Sequence, residues 1–207
     1  MTIQKTKQTV GALAAVFMLQ AGVAQAADSI VYSAMPKGSK ITVSGDSTMH
    51  AWKVETTLVG GKMTLSPDFP LDGKSEEIKT VPEVDVRIPV RNLKSGKEKM
   101  DNVTMQAMNQ DKHKYISYKL KNMSAMAGKP MMYNTSGDLT INGVTKSIYM
   151  PIKMEPLNGG ANVKITGEVS LKMSDFKVVP PKLAILGVGL VVKDDVKLDL
   201  LWMTRKR

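Results

Sequence analysis

The chain has 207 residues, about the length of one globular domain. Hydrophobic residues make up 43% and charged residues 23%, which excludes a mostly disordered protein and a multi-pass membrane protein. No cysteine is present, so disulfides, zinc-thiolate sites, iron–sulfur clusters and cysteine nucleophiles are excluded. Sixteen methionines is roughly twice average usage, and methionine suits irregular apolar cavities.

The first 26 residues have the order of a secretory signal peptide. Lys5 and Lys7 give a positive start, residues 10–19 form an apolar run, and Ala24-Gln25-Ala26 has the form of a cleavage site. The run is well short of the roughly 20 residues that span a bilayer. We predict cleavage after Ala26 and an exported domain, periplasmic or secreted, over residues 27–207. A short uncleaved anchor is the alternative.

The net charge of +10 raises the question of a nucleic-acid partner. Without residues 1–26, which hold two lysines and no acid, the charge is +8. The lysines are spread as single outward positions, with no basic motif interleaved with aromatic residues. We therefore predict no nucleic-acid partner, while transient contact with anionic membrane surfaces stays open. These single outward lysines include Lys40, Lys53, Lys119, Lys164, Lys172 and Lys197.

From about residue 40 onward, apolar residues alternate with polar ones, which predicts strands with one dry face and one wet face. The alternating positions are Ile41 and Val43; Trp52, Val54, Thr56 and Leu58; Val84, Val86, Ile88 and Val90; Ile116, Tyr118 and Leu120; Leu139 and Ile141; Ile148, Met150, Ile152 and Met154; Val163, Ile165, Val169, Leu171 and Met173; and Val188, Leu190, Val192, Val196, Leu198, Leu200 and Trp202. Turns between antiparallel neighbours are predicted at Gly60-Gly61, Asn142-Gly143, Asn158-Gly159-Gly160 and Asp194-Asp195.

One window, from Ser95 to about Met108, has helical spacing. Ser95 is predicted to cap it, with Glu98 three residues later completing a capping box. Met100, Val103 and Ala107 form an apolar stripe, with Met105 and Met108 beside it.

About eight to ten strands with one apolar face can close as a barrel or stack as a sandwich, and meander connectivity favours the barrel. The interior of an eight-stranded barrel can be filled by side chains or hold one elongated ligand.

The sequence offers little catalytic equipment. The two histidines, His50 and His113, lie outside any G-x-S-x-G elbow, and their spacing does not predict a metal site. His113 is predicted in a solvent-exposed loop. Two roles are considered for His50: a place at the barrel mouth, or a hydrogen-bonded strap that fixes the preceding turn. Glu76-Glu77 and Asp194-Asp195 lie in stretches typical of solvated loops.

Four segments of the chain form a distinctive set: SGDSTMHAW (44–52), VRIPVRNLKSGKEKMDNVTMQAMNQDKHKYISYKL (86–120), GDLTINGVTKSIYMPIKM (137–154) and LKMSDFKVVPPK (171–182). Taken together and in this order, they resemble the YceI-like family of exported bacterial proteins. The most specific is the hairpin GDLTINGVTK, which begins the third segment. Two departures from the family pattern are Lys114, where proline is usual, and Tyr118 in place of phenylalanine.

The resemblance implies a mainly all-β fold: an antiparallel lipocalin-like barrel of about eight strands, with one short helix in a long connection, enclosing an apolar tunnel. It implies an exported binding protein, not an enzyme, that sequesters or carries a polyisoprenoid, isoprenoid quinone or fatty-acid derivative. No cofactor besides this ligand and no metal is expected. The protein is expected to be either a monomer or a homodimer. The alternatives are an envelope stress or interaction protein with no obligatory ligand and a lipid-modifying enzyme.

We expect the ligand's polar head at the mouth, near His50, Trp52 or Tyr118, with Met100, Met105 and Met108 as a pliable lid. Plain core packing is the alternative for every interior position. The full set of predicted ligand-binding residues is His50, Trp52, Val54, Val86, Ile88, Met100, Val103, Met105, Met108, Ile116, Tyr118, Leu139, Ile141, Ile148, Met150, Ile165, Met173 and Phe176.

Overall fold

The computed structural model describes residues 29–185 and 188–207. The predicted signal peptide and its cleavage site lie outside the described residues. The strands are β1 (Ile30–Ala34), β2 (Lys40–Ser47), β3 (Trp52–Thr56), β4 (Gly60–Leu65), β5 (Glu83–Pro89), β6 (Tyr115–Ala125), β7 (Met132–Ile141), β8 (Val144–Leu157), β9 (Asn162–Lys172), β10 (Lys182–Ile185) and β11 (Val188–Lys206). The α-helix described is α1 (Glu98–Ala107), and short 3₁₀ turns lie at Val90–Asn92, Asn158–Gly160 and Met173–Phe176.

The sheet closes on itself. Strands β4 to β9 form an antiparallel meander, and β9 pairs with β11. The other edge of β11 pairs first with β2 and then with β1, so β1 and β2 act as one interrupted strand. Strand β3 pairs with β2, and β4 pairs with β1. Strands β3 and β4 therefore act together as a second interrupted strand, beside the one formed by β1 and β2. The result is a closed eight-stranded antiparallel barrel with one helix in the described ranges, which confirms the predicted fold class.

Two of the predicted turns are confirmed by left-handed backbone angles. Asn142 and Gly143 have φ values of 50° and 74°, as a tight hairpin between β7 and β8 requires. The chain also turns at Asn158–Gly160, where all three residues have positive φ.

The other two predicted turns are wrong, because pairing with neighbouring strands outweighs local turn propensity. Gly60 and Gly61 begin β4, and Gly61 (φ 143°) lies where a Cβ would collide with the carbonyl oxygen of Asp85. Asp194 and Asp195 lie inside β11, within an irregularity of register between Val192 and Val196. No alternating positions were identified over β1, β4 or β10, so these strands were not predicted.

One half of the barrel interior is filled by side chains. Tyr133 is 2% exposed, its hydroxyl donates a 3.1 Å hydrogen bond to the carbonyl of Pro70, and its ring lies 5.8 Å from that of Phe69. The segment between β4 and β5, which carries Phe69, covers this end. Tyr32, Met63, Leu65, Met123, Met154, Val163 and Trp202 complete this packed half.

Candidate ligand-binding cavity

The other half of the barrel is hollow. A cavity of about 820 Å³ lies at the end of the barrel where α1 and the 3₁₀ turn Met173–Phe176 form part of its wall. This volume lies within the range of roughly 300–1,000 Å³ that is usual for small-molecule sites. The division is visible along β11: Leu190, Val192, Val196 and Leu198 line the cavity, while Trp202 lies in the packed half.

Ten of the eighteen predicted ligand-binding residues line this cavity. They come from the β2–β3 loop, β3, α1 and the residue after it, the start of β6, the end of β7 and the 3₁₀ turn, and all but His50 present an apolar surface. The ten are His50, Trp52, Val54, Met100, Val103, Met108, Ile116, Ile141, Met173 and Phe176.

The other eight do not line the cavity. Met105 is half-buried on α1, whereas Tyr118 and Ile148 are partly buried against the core. The remaining five are buried: Val86, Ile88, Leu139, Met150 and Ile165. Alternation identifies the inward face of a strand but not the depth of a residue along the barrel axis, which explains the split.

Tyr118 shows this difference in depth most clearly. Its ring crosses over Gly137, where a Cβ would collide with the phenol, and its hydroxyl is buried. Burial raises the pKa of the Tyr118 hydroxyl, which keeps it protonated. We expected this hydroxyl to meet the ligand's head group at the mouth, but Tyr118 does not line the cavity.

Fifteen further lining residues were missed. Among the β-strand members, the apolar ones share the inward-facing rows identified from alternation, so that signal was available for them. Lys172 at the end of β9 was predicted to face outward and instead lines the cavity. The three lysines carry no such signal. The fifteen are Val43, Ser47, Leu93, Lys97, Lys99, Thr104, Ala107, Leu171, Lys172, Val178, Pro181, Leu190, Val192, Val196 and Leu198.

The start of α1 differs from the predicted capping box. The residue before the helix is Lys97, which makes no side-chain cap, so Ser95 is not the N-cap and Glu98 is not its partner. Gly96 has φ 79°, which turns the chain so that Ser95 meets Asp101 instead. Asp101 accepts hydrogen bonds of 2.7 Å from both the backbone N–H and the hydroxyl of Ser95.

Asp101 makes the stability of the segment at the start of α1 depend on pH. Burial alone would raise the pKa of the carboxyl, but the Ser95 hydrogen bonds and nearby Lys94 lower it below its usual range. Because the pKa of Asp101 is lower in the folded than in the unfolded protein, its ionised carboxylate stabilises the fold at a pH above the unfolded pKa. This stabilisation is lost as the pH falls from about 5.

We expect Asp101→Asn to reduce the free energy of unfolding at pH 7 by about 1–3 kcal/mol, because the Ser95 donors lose a charged acceptor. The difference from the wild type should shrink toward pH 3. Urea unfolding across pH measures both effects, and a difference independent of pH would contradict the assignment.

Asn142 ties together the elements that cover the cavity. Its side-chain amide donates to the carbonyls of Phe176 (3.2 Å) and Lys177 (3.0 Å), and its oxygen accepts from the Asn109 amide (2.9 Å). One buried side chain thus connects the β7–β8 turn with the end of α1 and with the 3₁₀ turn.

His113, predicted to be solvent-exposed, is instead partly buried, because its ring packs against Gly143.

Asn142→Gly should keep the left-handed backbone of the turn and remove all three hydrogen bonds. We expect a loss of about 2–3 kcal/mol in unfolding free energy, at about 1 kcal/mol per bond. Asn158→Gly is the matched control, since Asn158 also has positive φ (52°) but is exposed. Equal melting temperatures for the two variants would contradict the proposed role of Asn142.

At the mouth, His50 combines both expected roles. The Ser47 hydroxyl donates to the carbonyl of His50 (2.7 Å) and accepts from its N–H (3.1 Å), so the backbone is strapped. The exposed imidazole lines the cavity. The indole N–H of Trp52 donates to the carbonyl of Asp46 (3.2 Å), so it already has a partner.

Within residues 29–185 and 188–207, no group of three or more histidine and acidic side chains is arranged to hold a metal ion. No helix in the same ranges has the length and apolar character to cross a bilayer.

Comparison with known proteins adds a family and a fold. The family model described as a YceI-like domain matches residues 32–202. No curated protein matches the chain.

Several solved structures share the fold. BcnA of Burkholderia cenocepacia is 17% identical, with a TM-score of 0.62 over 80% of this chain and 95% of that chain. A polyisoprenoid binding domain from Saccharophagus degradans, implicated in plant cell wall breakdown, is 13% identical, with a TM-score of 0.63 over 85% and 98%. A Campylobacter jejuni YCEI protein is 21% identical, with a TM-score of 0.53 over 73% and 82%.

Proposed function

The chain belongs to the YceI-like family, and from that membership and the cavity we propose that it is an exported binding protein for one long-chain apolar ligand. The ligand class is a polyisoprenoid, an isoprenoid quinone or a fatty-acid derivative, which the protein sequesters or carries. The observation that supports the proposal most directly is the apolar cavity of about 820 Å³ at one end of the barrel. The polyisoprenoid binding domain that shares the fold is consistent with this ligand class.

Apolar burial supplies the affinity in this proposal. Each methylene moved from water into such a cavity contributes about 0.8 kcal/mol, so a chain of several isoprene units binds tightly without specific polar contacts. Met100, Met108 and Met173 line the cavity, and their unbranched side chains can adapt to the irregular outline of a prenyl chain. The bound lipid is the only small molecule that the mechanism requires, and no chemical step is part of it.

The proposal also places the protein in the periplasm or outside the cell. The order of charged, apolar and small residues in positions 1–26 supports export. N-terminal sequencing of the protein recovered from the extracytoplasmic fraction should begin at Ala27. Recovery of an intact Met1 would contradict cleavage.

Native mass spectrometry of protein purified from its own compartment is the direct test, followed by solvent extraction and identification of what is released. A long-chain isoprenoid, quinone or fatty-acid derivative at one per protein supports the proposal. Bare protein that neither binds added isoprenoids nor gains melting temperature from them overturns it, and favours an interaction protein without an obligatory ligand. Turnover of a bound lipid that is abolished by His50→Ala, with binding intact, would favour an enzyme.

A further inference from the structure

The side chains with a formal charge at pH 7 that line the cavity are all lysines. Its ionisable lining residues are His50, Lys97, Lys99 and Lys172, and no aspartate or glutamate of the described residues lines it. The rest of the lining is apolar apart from Ser47 and Thr104, with the indole N–H of Trp52 already bonded. A charged group of a ligand in this cavity therefore meets basic side chains and no acidic one of the described residues.

Two of these lysines are held at the rim by local structure. Lys97 and Lys99 bracket the first residue of α1, and the Ser95 hydroxyl accepts a 3.1 Å hydrogen bond from the backbone N–H of Lys97. The backbone of Lys94 pairs with Glu55 of β3, which fixes the segment leading to α1 beside the strand that carries Trp52. His50, Lys97 and Lys99 therefore belong to the same side of the mouth.

The acidic groups nearest this side have partners or do not line the cavity, and Asp46, near His50, pairs with Lys193. Asp101 accepts from Ser95 and pairs with Lys94, and Glu98 does not line the cavity. In the described part of the chain, no carboxylate lies within 4.0 Å of the ammonium of Lys97 or Lys99. Across the mouth, Lys172 differs from them, because its ammonium lies 2.7 Å from Asp195 of β11.

We propose that the ligand carries an anionic head group, a carboxylate or a phosphate, which Lys97 and Lys99 bind at the rim with His50 beside them. The proposal rests on the function proposed above and narrows its ligand class. A tail buried in the cavity and a head at this side of the mouth place the negative charge against two ammonium groups that have no carboxylate within 4.0 Å among the described residues. A neutral head group would leave both cations without a counter-charge from the ligand.

The test compares ligands that share a tail and differ only in the head. Oleic acid is compared with oleyl alcohol, and geranylgeranyl monophosphate with geranylgeraniol, each below its aggregation limit at pH 8. Binding is followed by equilibrium dialysis and by tryptophan fluorescence, since Trp52 lines the cavity whereas Trp202 does not. The two pairs separate a carboxylate from a phosphate source of the charge.

The variant Lys97→Gln/Lys99→Gln should weaken binding of the anionic member of a pair about two- to tenfold, as expected for two exposed ion pairs. Its binding of the alcohol should not change. The matched control is Lys62→Gln/Lys206→Gln, which removes the same charge from two exposed lysines whose strands pair with β1 at the packed end. The control should retain the wild-type preference for the anion.

Each remaining outcome contradicts the inference in a recognisable way. Equal affinity of acid and alcohol for the wild type overturns the anionic head group and leaves the apolar-ligand proposal standing. A preference for the anion that persists in the Lys97→Gln/Lys99→Gln variant, or is lost equally in the control, overturns the assignment to this rim. Failure of all four compounds to bind overturns both this inference and the proposed function.

Discussion

Replacing Leu198 with tryptophan is expected to abolish most ligand binding while leaving the barrel folded. Leu198 of β11 lies opposite Val43 of β2, and both side chains line the cavity. The indole would occupy space that the ligand chain needs. If it displaces about four methylenes, at about 0.8 kcal/mol each, the affinity falls by about two hundredfold.

Isothermal titration calorimetry with geranylgeraniol measures this loss. The unfolding free energy should stay near that of the wild type or rise, because the new side chain fills empty volume instead of overpacking a filled core. Ser170→Trp is the control, since Ser170 is exposed on β9 directly opposite Lys197. Undiminished affinity in a folded Leu198→Trp protein would show that the ligand binds outside the cavity.

Tyr133→Ala is expected to cause the largest loss of stability, because Tyr133 lies at the centre of the packed half. It is 2% exposed, stacks at a tilt against Phe69 and donates to the carbonyl of Pro70. Truncating an aromatic side chain in a filled core costs about 3–5 kcal/mol. Tyr133→Phe keeps the ring and removes only the hydrogen bond, at about 1 kcal/mol.

Urea unfolding of both variants gives these differences. The ligand affinity of the folded Tyr133→Phe protein should match that of the wild type, because distant sites with no shared partners contribute independently. A parallel loss of affinity would show that the packed half and the cavity are one cooperative unit. Equal destabilisation by the two variants would show that the hydrogen bond, not the packing, contributes most of the stability.

The candidate site could be predicted only in part. Trp52, Val54, Ile116 and Ile141 combine an inward position with a place near the mouth, and they line the cavity. Val86 and Leu139 have the same alternation signal but lie deeper, where the interior is filled. Nothing in a period of two residues encodes this depth.

Local and tertiary interactions also compete at individual residues. Asp194 and Asp195 are typical of a turn, yet they lie in β11, where Asp194 accepts from the hydroxyl and N–H of Ser174 and Asp195 pairs with Lys172. Ser95 and Glu98 have capping-box spacing, yet Asp101 takes the position of the partner. In both cases contacts between elements, which sequence patterns do not record, outweigh the local preference.

The sequence by itself determined the class of fold and the inward face of most strands, because the alternation of side chains across a strand is a local property. It also contained the segments by which the chain resembles its family. Tertiary structure decided that one half of the barrel is packed and the other hollow, since that depends on register, on the segment around Phe69 that covers one end, and on the way α1 covers the other. It also decided that Lys97 and Lys99, which carry no apolar signal, stand at the rim of the cavity, because their position follows from where α1 begins over the open end.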